Sequence, residues 1–134
     1  MKKFSFYVLT ATALCITAIS ASAQTVVIVS PNSAVISKDQ LANIYLGRSN
    51  ELNPFDLTEG SPLRDGFYKS ATSRGPAQIK ATWARIMFTG RGSPPREVSD
   101  AAAMKKAVAS DPKAIGYIDK AALDSSVKAV LTLD

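Results

Sequence analysis

The chain has 134 residues, among them 16 Lys and Arg, 11 Asp and Glu, no His and a single Cys. A net charge of +5 that is scattered along the chain excludes the dense basic patch typical of proteins that bind nucleic acid. Without His, and with its one Cys in an N-terminal apolar segment, the chain lacks the commonest general bases and zinc ligands. The composition therefore predicts a protein that is not an enzyme, with no catalytic residues, no metal site and no cofactor.

Residues 1–23 predict a cleaved secretory signal peptide. Two lysines near the start are followed by an apolar stretch from Tyr7 to Ile19, and Ala21–Ala23 supplies small residues for cleavage. The apolar stretch is too short and too rich in Thr and Ser for a transmembrane span, although a retained N-terminal anchor is the alternative. We therefore expect export to the periplasm and one mature domain at residues 24–134.

The first half of this domain shows a strand and two helix starts. The β-branched run Val26–Val29 predicts a strand that is covered on both faces. Ser37–Gln40 matches a capping box and predicts the start of a short helix. Residues 51–58 are polar and contain Pro54, which favours an irregular segment or an edge strand. Ser61-Pro62 then predicts a second helix, with Ser as N-cap and Pro at the first helical position.

The second half continues with two helices and ends with two strands. An apolar stripe that includes Trp83 predicts a third helix ending near Gly90. Residues 91–96 contain two prolines and a glycine, which exclude a helix or a central strand. Ser99 is expected to cap a fourth helix, and residues 114–118 and 127–133 are expected to be strands. Strands at both ends with helices between them predict an α/β domain, a small mixed sheet flanked by about four helices.

The second helix start is the best candidate for a binding site. A helix N-terminus presents free amide donors and a partial positive charge, which suit a small oxyanion. Ser61 would add a hydroxyl, Leu63 an amide, and Arg64 an amide with a guanidinium able to hold two oxygens. Pro62 removes one donor. The alternative is that Ser61-Pro62 only starts a helix and that Arg64 is solvated.

Three further arginines surround the end of the third helix. Arg85, Arg91 and Arg96 are consistent with a second anion contact or a surface for a partner, and also with a solvated rim. Trp83 has a similar ambiguity, because it is suited to stacking on a ligand but lies in the apolar stripe, which favours the core.

Three segments together resemble a known family. They are Leu41–Gly47, Glu59–Arg64 and Pro112–Tyr117, and their order and spacing hold across about residues 25–133. The chain resembles one lobe of the type II periplasmic solute-binding proteins. It is most similar to the phosphate-binding component of phosphate ABC transporters and its small relatives. The resemblance implies a single lobe of that fold.

In that family, phosphate lies between two lobes and is held partly by a Ser-Gly-Thr helix start with an Arg nearby. The resemblance places Ser61 at the family's serine and makes Arg64 the basic contact, while Pro62-Leu63 replaces the Gly-Thr. The chain is too short for two lobes, and a single lobe leaves half of the ion's hydrogen bonds to water. Tight capture would then require two copies, as a homodimer.

These observations predict a periplasmic, non-enzymatic, solute-binding-like protein. The resemblance implies that it binds phosphate or a related small oxyanion and serves a transporter permease. The alternative is an interaction module of the cell envelope, which uses the lobe as a scaffold for a sensor, a porin or a transporter.

Overall fold

The computed structural model describes residues 24–133, in which five strands form one mixed sheet. The strand order is β3-β2-β4-β1-β5, with β1 antiparallel to β4 and β5, and β2 parallel to β3 and β4. The strands are β1 (Thr25–Val29), β2 (Asn53–Leu57), β3 (Arg96–Val98), β4 (Ala114–Asp119) and β5 (Lys128–Leu133).

Four α-helices and one short 3-10 helix connect the strands. They are α1 (Lys38–Tyr45), α2 (Pro62–Thr72), α3 (Pro76–Phe88), α4 (Ala101–Ser110) and the 3-10 helix Lys120–Ala122. Within residues 24–133 no helix has the length and apolar character needed to cross a bilayer. The predicted signal peptide, residues 1–23, lies outside the described residues.

Two of the three predicted serine caps, those at Ser37 and Ser61, are confirmed. The Oγ of Ser37 accepts the amide of Gln40 at 3.2 Å, and the Gln40 side chain accepts the Ser37 amide at 2.8 Å. Ser61 caps α2 by accepting the Arg64 amide at 3.4 Å, with Pro62 as the first helical residue. Both helices therefore begin where local hydrogen bonding favours it.

The predicted cap of α4 is wrong by one residue. Asp100, and not Ser99, is the N-cap, and its carboxylate accepts the amide of Ala103 at 2.8 Å. The carboxylate also carries a full negative charge at the positive end of the helix dipole, which the Ser hydroxyl lacks.

Strand β2 differs from the prediction of an irregular segment or an edge strand. It lies inside the sheet, between β4 and the three-residue edge strand β3. Pro54 is tolerated because the pairing with β3 begins at Phe55, one residue further on. Two prolines precede Arg96, and nothing in the sequence indicated the edge strand β3 that pairs with β2 on this side.

An aromatic cluster joins α1, α2 and β4 beneath the sheet. The ring of Phe67 stacks on Tyr117 with centroids 3.8 Å apart, and Tyr45 meets Phe67 edge-on at 4.7 Å. The hydroxyl of Tyr45 donates to the carbonyl of Phe55 at 2.7 Å, so this buried polar atom is satisfied. The cluster fixes α2 against the sheet and thereby positions its N-terminus beside β2.

Candidate anion-binding cleft at the start of helix α2

The structure brings the three predicted site residues together at the first turn of α2. The Ser61 hydroxyl oxygen is used by the helix cap. Pro62 has no amide hydrogen, and the hydrogen bonds of the described residues give the Leu63 amide no acceptor. One backbone donor therefore remains free at this turn, where an isolated helix would offer several.

The guanidinium of Arg64 is already bound by the protein's own oxygens. Its Nε lies 3.4 Å from the carboxylate of Asp56, and its Nη1 donates to Glu97 at 3.1 Å. The same Nη1 donates to the carbonyl of Leu57 at 3.1 Å. Arg64 is thus not a freely solvated side chain, and a ligand would have to share it with two carboxylates.

Asp56 is a buried carboxylate at the centre of this arrangement. Its oxygens accept hydrogen bonds from the hydroxyl of Tyr68 at 2.6 Å, from the hydroxyl of Tyr117, and from the amide of Leu57 at 2.9 Å. Burial raises the pKa of Asp56, while these donors and the charge of Arg64 oppose that rise. The network therefore satisfies a charge that would otherwise be costly to bury.

A cleft of about 240 Å³ opens beside this network, between α2, α3 and the segment that leads into β3. Four carboxylates and two cations line it, namely Asp56, Glu59, Asp65, Glu97, Arg64 and Lys80. Lys80 is also paired, at 3.4 Å from Glu59. The net charge of the residues that line the cleft is negative, and this weakens the attraction for an anion as long as the Arg64 guanidinium stays paired with its carboxylates.

Trp83 forms part of the wall of the cleft and lies mainly in the core. Its side chain is almost fully buried, and its indole nitrogen has no hydrogen-bond partner among the described residues. Because that nitrogen is also shielded from solvent, Trp83 contributes packing to the wall and offers the cleft no hydrogen-bond donor.

The other predicted arginines lie elsewhere. Arg85 and Arg91 line a cleft on another side of α3, while Arg91 and Arg96 line a third cleft of about 460 Å³ beneath residues 91–96. None of the three contacts Arg64 or its carboxylates through an ion pair of the described residues.

Asp56, Glu97 and Tyr117 were not identified from the sequence. Asp56 lies between the apolar residues Phe55 and Leu57 of β2. An acidic residue in that setting was the available indication of a buried charge with hydrogen-bond partners. Glu97 and Tyr117 join it only through the sheet, so no local pattern reveals them. No three acidic, His or Cys side chains within residues 24–133 are grouped closely enough to hold a metal ion.

The sheet order and the helices define the fold of a single lobe of a periplasmic binding protein. Three solved structures share it over 81% of this chain. They are an ABC-type phosphate transport receptor from Vibrio cholerae (19% identity, TM-score 0.60), a putative phosphate ABC transporter substrate-binding protein with bound phosphate from Clostridium perfringens (21%, 0.64), and a possible phosphate binding protein from Planctomyces limnophilus (18%, 0.57).

The matched region spans 46%, 45% and 41% of those three proteins, so this chain corresponds to less than half of each. No protein-family model matches the sequence, and no curated protein matches it either. The similarity confirms the predicted fold, a single lobe that matches part of each of these three structures.

Proposed function

We propose that this protein is a periplasmic, non-enzymatic, solute-binding-like protein that takes phosphate or a related small oxyanion at the start of α2. The observation that carries the proposal is an open cleft lined by Arg64, beside a helix start where the Leu63 amide has no acceptor among the described residues. The three structural neighbours are named as phosphate receptors or phosphate-binding proteins, and this supports the choice of anion. The predicted signal peptide supports the location, and a transporter permease is the proposed partner.

Binding requires Arg64 to exchange one carboxylate for the ligand. Asp56 is buried and held by two tyrosines, so it stays in place. Glu97 is about half exposed, with a side-chain exposure of 51%, and regains water when its bond to Arg64 breaks. We therefore infer that phosphate displaces Glu97 and is held by the Arg64 guanidinium and the Leu63 amide.

Calorimetric titration of the purified protein with phosphate, and separately with sulfate, tests this proposal. Glu97→Gln should raise the affinity for phosphate about threefold, because it removes a competing carboxylate. Glu51→Gln is the matched control, since Glu51 is exposed and belongs to none of the described ion pairs. Absence of binding at millimolar phosphate, in both the wild type and Glu97→Gln, would refute the proposed ligand.

A second candidate function is the envelope interaction module. One observation favours it: Phe88, at the end of α3, is 92% exposed, and the neighbouring Met87 is half exposed. Apolar side chains placed in this way are common at protein interfaces. If Phe88→Asp abolishes a specific cross-link to an envelope protein while phosphate binding is absent throughout, the scaffold function replaces the first proposal.

A further inference from the structure

Four arginines line one cleft on the side of α3 that faces away from the site described above. They are Arg48, Arg74, Arg85 and Arg91, and the cleft has a volume of about 370 Å³. Its remaining walls are Leu46, Gly47, Thr82, Ile86 and Thr89. Among the described residues no carboxylate lines this cleft, in contrast to the acid-rich cleft beside α2.

The fold brings these arginines together from the ends of three helices. Gly47 follows α1 with a φ of +73°, and a Cβ there would lie 2.6 Å from the Cδ1 of Ile86. Because glycine has no Cβ, the end of α1 approaches α3 and Arg48 reaches the cleft. Arg74 follows α2 and donates from Nη1 to the hydroxyl of Thr82 at 3.2 Å, which holds it on the wall.

The four arginines form no ion pair within the described part of the protein. The ion pairs there use Arg64, Lys80 and Lys105, and none of them involves an arginine of this cleft. Clustered like charges repel one another and so favour an anion that neutralises them. The guanidinium group is also the cation best shaped to hold two phosphate oxygens at once.

We propose that this cleft binds a ligand with two or more linked phosphoryl groups, that is, a condensed inorganic phosphate such as tripolyphosphate. A guanidinium in bidentate contact uses two oxygens, so two arginines already contact all four oxygens of orthophosphate. Four arginines therefore match a longer anion with more oxygens and more charge. Of the described residues that line the cleft none is aromatic, so a nucleotide base would lack an aromatic ring to stack on.

This site is separate from the one proposed for orthophosphate. Thr82, Arg85 and Thr89 face it at helical spacing, while Lys80, Trp83 and Met87 face the cleft beside α2. A failure of either proposal therefore leaves the other standing.

Calorimetric titration of the purified protein with tripolyphosphate, orthophosphate and ATP, at matched ionic strength, tests the inference. We expect tripolyphosphate to bind about tenfold more tightly than orthophosphate, and ATP no more tightly than tripolyphosphate. Arg85→Gln and Arg91→Gln should each weaken tripolyphosphate binding about fivefold. Arg96→Gln is the matched control, because Arg96 is exposed, forms no described ion pair and lies outside the cleft.

Three results would overturn the inference, and a fourth would change the class of ligand. The first is no binding of tripolyphosphate, or binding no tighter than that of orthophosphate. The second is an equal loss in Arg96→Gln and Arg85→Gln, which would mean attraction to net charge alone. The third is a lower melting temperature of Arg85→Gln with unchanged binding, which would assign the arginine to the end of the helix dipole. Tighter binding of ATP would overturn the inorganic nature of the ligand.

Discussion

Arg64 neutralises two carboxylates that the sheet places side by side. Asp56 and Glu97 are register partners on the parallel strands β2 and β3, and like charges in that position destabilise a sheet. The two bonds to Arg64 differ in their surroundings. Asp56 is 2% exposed and Glu97 is 51% exposed, so removing one partner or the other should have unequal effects.

Arg64→Met should lower the free energy of unfolding by about 3 kcal/mol, the usual cost of leaving a buried charge unpaired. At 3.4 Å between Arg64 Nε and Asp56 Oδ2, an effective dielectric of about 20 gives a gross attraction of about 5 kcal/mol. The donors that remain on Asp56 reduce the net loss. Glu97→Gln should cost less than about 0.5 kcal/mol, because that pair is half exposed and its removal also relieves the cross-strand repulsion.

The loss in Arg64→Met should also depend on pH. Burial already raises the pKa of Asp56, and removal of the cation raises it further. A carboxyl whose pKa is higher in the folded state stabilises the fold most when it is protonated, and that stability is lost as the pH rises through the folded pKa. The deficit of Arg64→Met relative to the wild type should therefore be larger at pH 7.5 than at pH 5.

Urea unfolding followed by the fluorescence of Trp83, the only Trp in the chain, measures these differences. Arg64→Lys serves as the intermediate variant, since it keeps the charge but loses the two-oxygen geometry. Equal losses in Arg64→Met and Glu97→Gln, or a deficit that does not change with pH, would refute the account of Asp56 as a buried, charged centre.

Two further perturbations test the same structure. In Asp56→Asn the titrating group is absent, so the wild type should lose stability relative to this variant as the pH rises from about 4, because the pKa of Asp56 is raised in the folded state; parallel pH profiles would contradict this. Gly116→Ala should cost about 1–3 kcal/mol, because the new Cβ would lie 2.5 Å from the Met104 sulfur. The control is Gly66→Ala on α2, where the new Cβ meets open space, and it should stabilise the protein by about 0.5–1 kcal/mol in thermal unfolding. A gain in stability at both glycines would mean that α4 packs less closely on β4 than described.

The share of each structural neighbour that this chain covers bears on how tightly a single copy would hold an ion. The chain corresponds to less than half of each structural neighbour, and the cleft beside α2 is open to solvent on the described lobe. An ion held on one side keeps much of its hydration, so we expect weak binding of orthophosphate by a single copy. A second copy that closed over the cleft would strengthen it, and a phosphate-dependent change in sedimentation would reveal such a homodimer.

The sequence was sufficient to predict features that depend on residues close together along the chain. The capping box at Ser37, the helix start at Ser61 and the strand at Val26–Val29 all lie where the sequence predicts them. Each is stabilised by hydrogen bonds or steric preferences over a few positions, so the local residues determine it. The cap predicted at Ser99 was wrong by one position, because the adjacent Asp100 caps equally well and adds a negative charge at the helix start.

Only the tertiary structure decided the electrostatic state of the site. The sequence offered Arg64 as a free anion contact, and the fold gives it Asp56 and Glu97 as partners. Glu97 reaches Arg64 because β3 pairs with β2, a contact between segments about 40 residues apart that no local pattern encodes. In the same way, the close approach of α1 to α3 at Gly47 gathers arginines that are dispersed in the sequence into one cleft. Charge pairing depends on distance in space, and that distance is set by how the strands and helices pack.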